Sequence, residues 1–211
     1  RLGYDAYFSQ GGDWGSAVTT EIGLQNLGHC KGIHLNMPSA RPTPEARENP
    51  SERDKQAIAA GRAYNDEDSG YSKQQSTRPQ TLGYGLADSP SGQGMWILEK
   101  FWRWTDCNGH PENVLTRDEL IDNIMLYWLN NTGASSGRLY WESFGAFGKD
   151  NKIEVPTGCS IFPKEIVPTP RPWAEQRFTN IVYWNELDKG GHFAAFEQPA
   201  LFVNEIRSCF G

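Results

Sequence analysis

The chain has 211 residues, with 20 Lys and Arg against 26 Asp and Glu and a formal net charge of −6. That balance, without any local Lys/Arg cluster, argues against a nucleic-acid or anionic-membrane surface. Mean hydropathy is −0.63, and no apolar run is long enough to cross a bilayer. The start, RLGYDAYF, has no basic segment leading into an apolar stretch.

In chain order, residues 4–9 predict a short strand, and GSAVTTEIGLQNL (15–27) has helix-like apolar spacing closed by glycines. GIHLNMP predicts a second strand stopped by Pro38. A long polar stretch follows over 39–68, within which ERDKQAIAAGRAYNDE predicts an amphipathic helix. Residues 92–104 and 116–130 predict helices, the second opened by a capping box of Thr116 and Glu119. KIEVPTGCSIF and NIVYWNEL predict two more strands, and the last segment is helical after Pro199. Strands separated by helices favour an α/β chain with a parallel sheet.

Cys30, Cys107, Cys159 and Cys209 show no CxxC spacing, so they read as buried or incidental thiols rather than a zinc or redox motif. In HCKGIH, a strand from Lys31 onward would send alternate side chains to opposite faces, which disfavours a metal site. The NNT tripeptide at Asn130 fits a glycosylation acceptor by pattern alone.

The stretch QGGDWGS poses the main question of function. Strand, then small residues around Asp13, then helix is the layout of a nucleophile elbow, with Asp where the G-x-S-x-G version carries Ser. The tight turn calls for small neighbours on each side, and the helix start favours an ionised carboxylate. The plainer alternative is that Asp13 is an ordinary helix N-cap. DKGGHFAAFEQP places His192 on a Gly-rich loop after the last strand, where an imidazole can serve as base to a nucleophile upstream. Glu165, on a loop bounded by Pro163 and Pro168, is the first choice to orient that imidazole. Asp188 competes for the role, with Glu175 and Asp150 behind it.

These residues carry a resemblance. QGGDWGS, GYSKQQSTRPQTLGYGLADSPSG, WILEKFWRWTD, NIMLYWLNNTGASSGRLYWES, VPTGCSIFPKE and GGHFAAFEQP resemble the C-terminal part of a microsomal-type epoxide hydrolase, in order and across nearly the whole chain. The resemblance implies an α/β-hydrolase fold: core at 1–38, helical cap or lid at 39–150, core again at 151–211. It implies an epoxide hydrolase that forms a vicinal diol through an Asp13 ester. His192 and Glu165 would activate the water, and no metal or organic cofactor is needed. It assigns Tyr71 and Tyr140 in the cap as donors to the epoxide oxygen, with Tyr84 and Tyr127 as substitutes, and the Trp14 backbone N–H as an oxyanion donor. The substrate would be a small apolar epoxide, walled by MWILEKFWRW and IMLYWL. A haloalkane dehalogenase shares an Asp nucleophile followed by Trp but has no use for the tyrosine pair. A non-catalytic relative would show a damaged triad.

The match begins just before the elbow. The fold's first strands and its H-G-x-P-type segment have no counterpart here, so the N-terminal half of the same protein is the expected partner, on the same or a separate chain. The four strands should be neighbours, with an uncovered edge on the first. The resemblance leaves room for a homodimer, and leaves localisation open, since any anchor would lie in the absent part.

Overall fold

The computed structural model describes residues 3–146 and 150–211. The chain divides into two compact units, the described residues of 1–61 with 147–211, and residues 62–146.

The first unit is built on four parallel strands in the order β1 (Tyr7–Gly11), β2 (Cys30–Leu35), β3 (Thr157–Ile161) and β4 (Ile181–Glu186). β1 starts three residues later than the sequence pattern suggests. Among the described residues no further strand pairs with its outer edge, and Tyr7 and Phe8 are about half exposed there. Successive residues of β2 face opposite ways. Ile33 looks toward α1 (Trp14–Gln25), and His34 toward α11 (Pro199–Phe210). Helices thus cover both faces, as parallel sheets require.

The two faces are held differently. α1 buries Ser16, Thr19, Thr20 and Gly23, a small and mostly polar stripe rather than the apolar one its spacing suggests. A Cβ on Gly23 would stand 3.0 Å from Val155 and 3.2 Å from Ile33, so the missing side chain lets the helix approach the sheet closely. The core beneath contains Cys30, Ile33, Leu35, Ile153, Val155, Ala174 and Phe178. On the other face, the buried Glu205 of α11 accepts hydrogen bonds from Ser160 Oγ at 2.7 Å, Tyr183 OH at 3.0 Å and Asn185 Nδ2 at 2.9 Å. Ser160 Oγ, its proton given to Glu205, accepts from His34 Nε2 at 2.9 Å. Burial pushes the His34 pKa down to about 4 against the pull of Glu205.

Short helices α2 (Pro44–Glu48) and α9 (Arg171–Glu175), with α3 (Glu52–Ala63), frame a satellite core of Ala46, Ala57 and Trp173. Trp173 Nε1 donates to Asp54 Oδ1 at 2.7 Å there. A further short helix, α10 (Ala194–Glu197), follows β4.

The second unit is helical: α4 (Gly70–Thr77), α5 (Pro79–Asp88), α6 (Pro90–Trp104), α7 (Arg117–Trp128) and α8 (Gly133–Ser143). The capping box of Thr116 and Glu119 is present. α5 and α8 meet through small residues, with Gly83 directly against Ala134 and Gly133 against Leu86. No helix among the described residues is long and apolar enough to cross a membrane.

Candidate active site

Asp13 stands between β1 and α1 with φ of 49° and ψ of −127°, a backbone conformation that side chains rarely adopt. Its neighbours explain how the turn is tolerated. A Cβ on Gly11 would run into the Gly15 carbonyl, and one on Gly12 would lie 2.5 Å from Asn36 Oδ1. Gly15 has open space around it, so of the three glycines only the two before the aspartate are held to that size by their surroundings. The Asp13 side chain makes no capping hydrogen bond to α1, which sets aside the simple N-cap reading.

The loop after β3 carries Glu165 and the loop after β4 carries His192. His192 Nδ1 donates to Glu165 Oε1 at 2.6 Å, and its Nε2 lies 3.7 Å from Asp13 Oδ2. Glu165 Oε1 also accepts from the Ile166 N–H at 2.8 Å, which fixes the carboxylate. Side-chain exposure is 1% for both His192 and Glu165 but 42% for Asp13, so of the three only the aspartate meets solvent broadly. The competing acids are elsewhere: Asp188 is exposed, Glu175 pairs with Arg171 at 2.7 Å, and Asp150 pairs with Arg41 at 3.4 Å.

Burial disfavours a charged imidazole, yet the Glu165 and Asp13 carboxylates outweigh it and raise the His192 pKa well above its ordinary value. Of the two carboxylates, Glu165 contributes first to that rise and Asp13 after it.

Two further residues support the site. Glu197 is buried, and its carboxylate accepts from the N–H groups of Gly191 at 3.2 Å and Phe193 at 3.1 Å, on either side of His192. Asn36, at the end of β2, accepts from Gln10 Nε2 at 3.0 Å and walls the turn at Gly12. A carboxylate five residues beyond a loop histidine was the available clue to Glu197.

In the helical unit Tyr71 and Tyr140 come together, their ring centroids 5.6 Å apart and edge to face. Tyr64 OH lies 3.2 Å from Tyr71 OH, and Tyr64 belongs to a π-helical turn, Tyr64–Asp68. Arg103 of α6 clamps that turn through Asp68 and Glu67, each at 2.9 Å. Tyr84 is 68% exposed, and Tyr127 is 36% exposed. Of the bulky residues expected to wall a substrate, Met95, Leu98, Trp102 and Ile124 line a cavity of about 550 Å³ between α6 and α7. Trp14 opens α1, where a helix's first N–H groups lie beyond the reach of its own carbonyls.

Among the described residues no cluster of His, Cys, Asp and Glu could hold a metal ion. The four cysteines are free thiols, and burial pushes those of Cys159 and Cys209 up, the latter to about 11.

A carboxylate on a strained strand-to-helix turn, followed in chain order by an acid and a histidine on loops of a parallel sheet, defines an α/β-hydrolase. Comparison with known proteins narrows this. No family model matches the chain. It is 51% identical over 210 residues to a protein described as "Putative epoxide hydrolase" from Stigmatella aurantiaca, covering 100% of this chain and 48% of that protein. It is 35% identical over 236 residues to "Epoxide hydrolase 1" of Sus scrofa, covering 100% of this chain and 52% of that protein. The structure of Aspergillus niger epoxide hydrolase matches with a TM-score of 0.87 at 33% identity, over 98% of this chain and 52% of that one. The chain is homologous to the epoxide hydrolases and has their α/β-hydrolase fold. It spans about half the length of the curated relatives it matches.

Proposed function

We propose that the whole protein opens apolar epoxides to vicinal diols in two covalent steps. The observation that carries this reading is an exposed carboxylate in the nucleophile position, 3.7 Å from the Nε2 of a buried, carboxylate-bound histidine. In the first step Asp13 attacks a ring carbon. The C–O bond of the epoxide breaks, an ester forms, and the ring oxygen takes a proton with help from the phenols of Tyr71 and Tyr140. In the second, His192 removes a proton from water, which attacks the ester carbonyl. The Trp14 N–H supports the tetrahedral oxyanion; its collapse breaks the acyl C–O bond, the alkoxide of the diol leaves with the proton held by His192, and Asp13 is restored carrying one oxygen from water. Glu165 holds the imidazole in the required tautomer throughout. In this reading residues 39–150 serve as the cap and the flanking segments as the catalytic core.

The test is intact-mass spectrometry of the whole protein during turnover of an aryl epoxide, with peptide mapping. The expected result is a transient adduct of substrate mass on the peptide holding Asp13, absent in Asp13→Asn and persistent in His192→Gln. An Asp13→Asn protein that shows wild-type turnover from the first cycle would overturn the proposal.

A further inference from the structure

Lys100 is a cation that packing alone does not explain. It lies on α6 with its side chain only 12% exposed. Its Nζ stands 4.6 Å from the centroid of the Tyr71 ring and 5.4 Å from that of Trp104. Its ion pair is with its chain neighbour Glu99, at 2.8 Å, and that carboxylate is half exposed. A methionine or leucine would fill the same space without the desolvation cost of an ammonium group. The charge is therefore placed against the face of one particular phenol.

A phenol that hands its proton to an oxyanion spreads negative charge from its oxygen into its ring. A cation over that ring lowers the energy of the charged form more than that of the neutral one. The same contact, with Trp104 packed 5.3 Å from Tyr71, fixes the angle at which the hydroxyl is presented. We propose that Lys100 is a positioning residue that acts through Tyr71, strengthening it as a donor to the opening epoxide. This rests on the proposed function above. The effect belongs to the ring-opening step, because there the epoxide oxygen takes its proton from the phenols, whereas the alkoxide released on ester hydrolysis takes its proton from His192.

Stopped-flow tryptophan fluorescence on the whole protein with a styrene oxide separates the two steps. Lys100→Met is expected to slow ring opening by about 10- to 30-fold and to leave ester hydrolysis within about twofold. Lys100→Arg, which keeps the charge over the ring, should recover most of the loss. In a Tyr71→Phe background Lys100→Met should add almost nothing, whereas a purely structural role would add its full effect. Equal slowing of both steps without rescue by Arg, or full additivity with Tyr71→Phe, would overturn the proposal. Lys100→Gln replaces Lys100→Met if the latter does not fold. If the wild-type protein forms no ester on Asp13, the functional reading itself falls, a result distinct from a wild type that forms the ester and a Lys100→Met variant with unchanged rates.

Discussion

At the scale of single residues, the two carboxylates beside His192 favour its protonated form against burial, Glu165 through a 2.6 Å hydrogen bond at Nδ1. In the proposed scheme the imidazole serves as base once Asp13 is esterified. Glu165 is the member whose removal separates the steps. Glu165→Gln keeps the shape of the side chain but gives up its charge, so the imidazole is held and polarised less well. Ester hydrolysis is expected to slow by about 100-fold or more, while ring opening by Asp13 persists. Intact mass would show the ester accumulating as the main species, and a Glu165→Gln protein with wild-type turnover would contradict this role.

At the scale of elements, the turn from β1 into α1 makes a sharp distinction between two of its glycines. Gly12→Ala would drive a methyl group into Asn36, and is expected to destabilise the protein by about 1–3 kcal/mol. Gly15→Ala places its methyl group in open space on a helical residue, and is expected to stabilise it by up to about 1 kcal/mol. Urea denaturation of the two variants checks both signs. The sequence showed the smallness of this turn but not which side of Asp13 needed it, because the obstacle at Gly12 is Asn36, from another strand. The same reason separates the legible from the illegible elsewhere. The four strands, α6, α7 with its capping box and the order Asp13, Glu165, His192 all rest on local pattern or motif, and could be read. Glu205 within α11, Glu197 behind the histidine loop and Lys100 over Tyr71 are charged residues on helices. They look solvated until tertiary packing shows what they touch. α8, whose contact with α5 depends on Gly133 and Ala134, has too few large apolar residues to announce itself as a separate helix.

At the scale of the whole molecule, the polar network between α11 and the sheet sets an acid limit. The His34 pKa is near 6.5 when unfolded and about 4 when folded, so between those values the unfolded chain binds more protons. Stability from this residue is fully present above the unfolded value and is lost as pH falls toward the folded one. The expected loss is about 3 kcal/mol across that window. Urea denaturation at several pH values, compared with His34→Gln, should show a steeper decline in the native protein, and parallel profiles would refute it. The outer margin of β1 has a different kind of consequence. A polypeptide laid along it in extended form would be gripped through amide and carbonyl groups, with Tyr7 and Phe8 offering two rings beside it. Such a grip depends little on the visitor's own side chains. It is the kind of grip that a further strand of the whole protein would need, so the sheet can be extended there without any change to the side chains of β1.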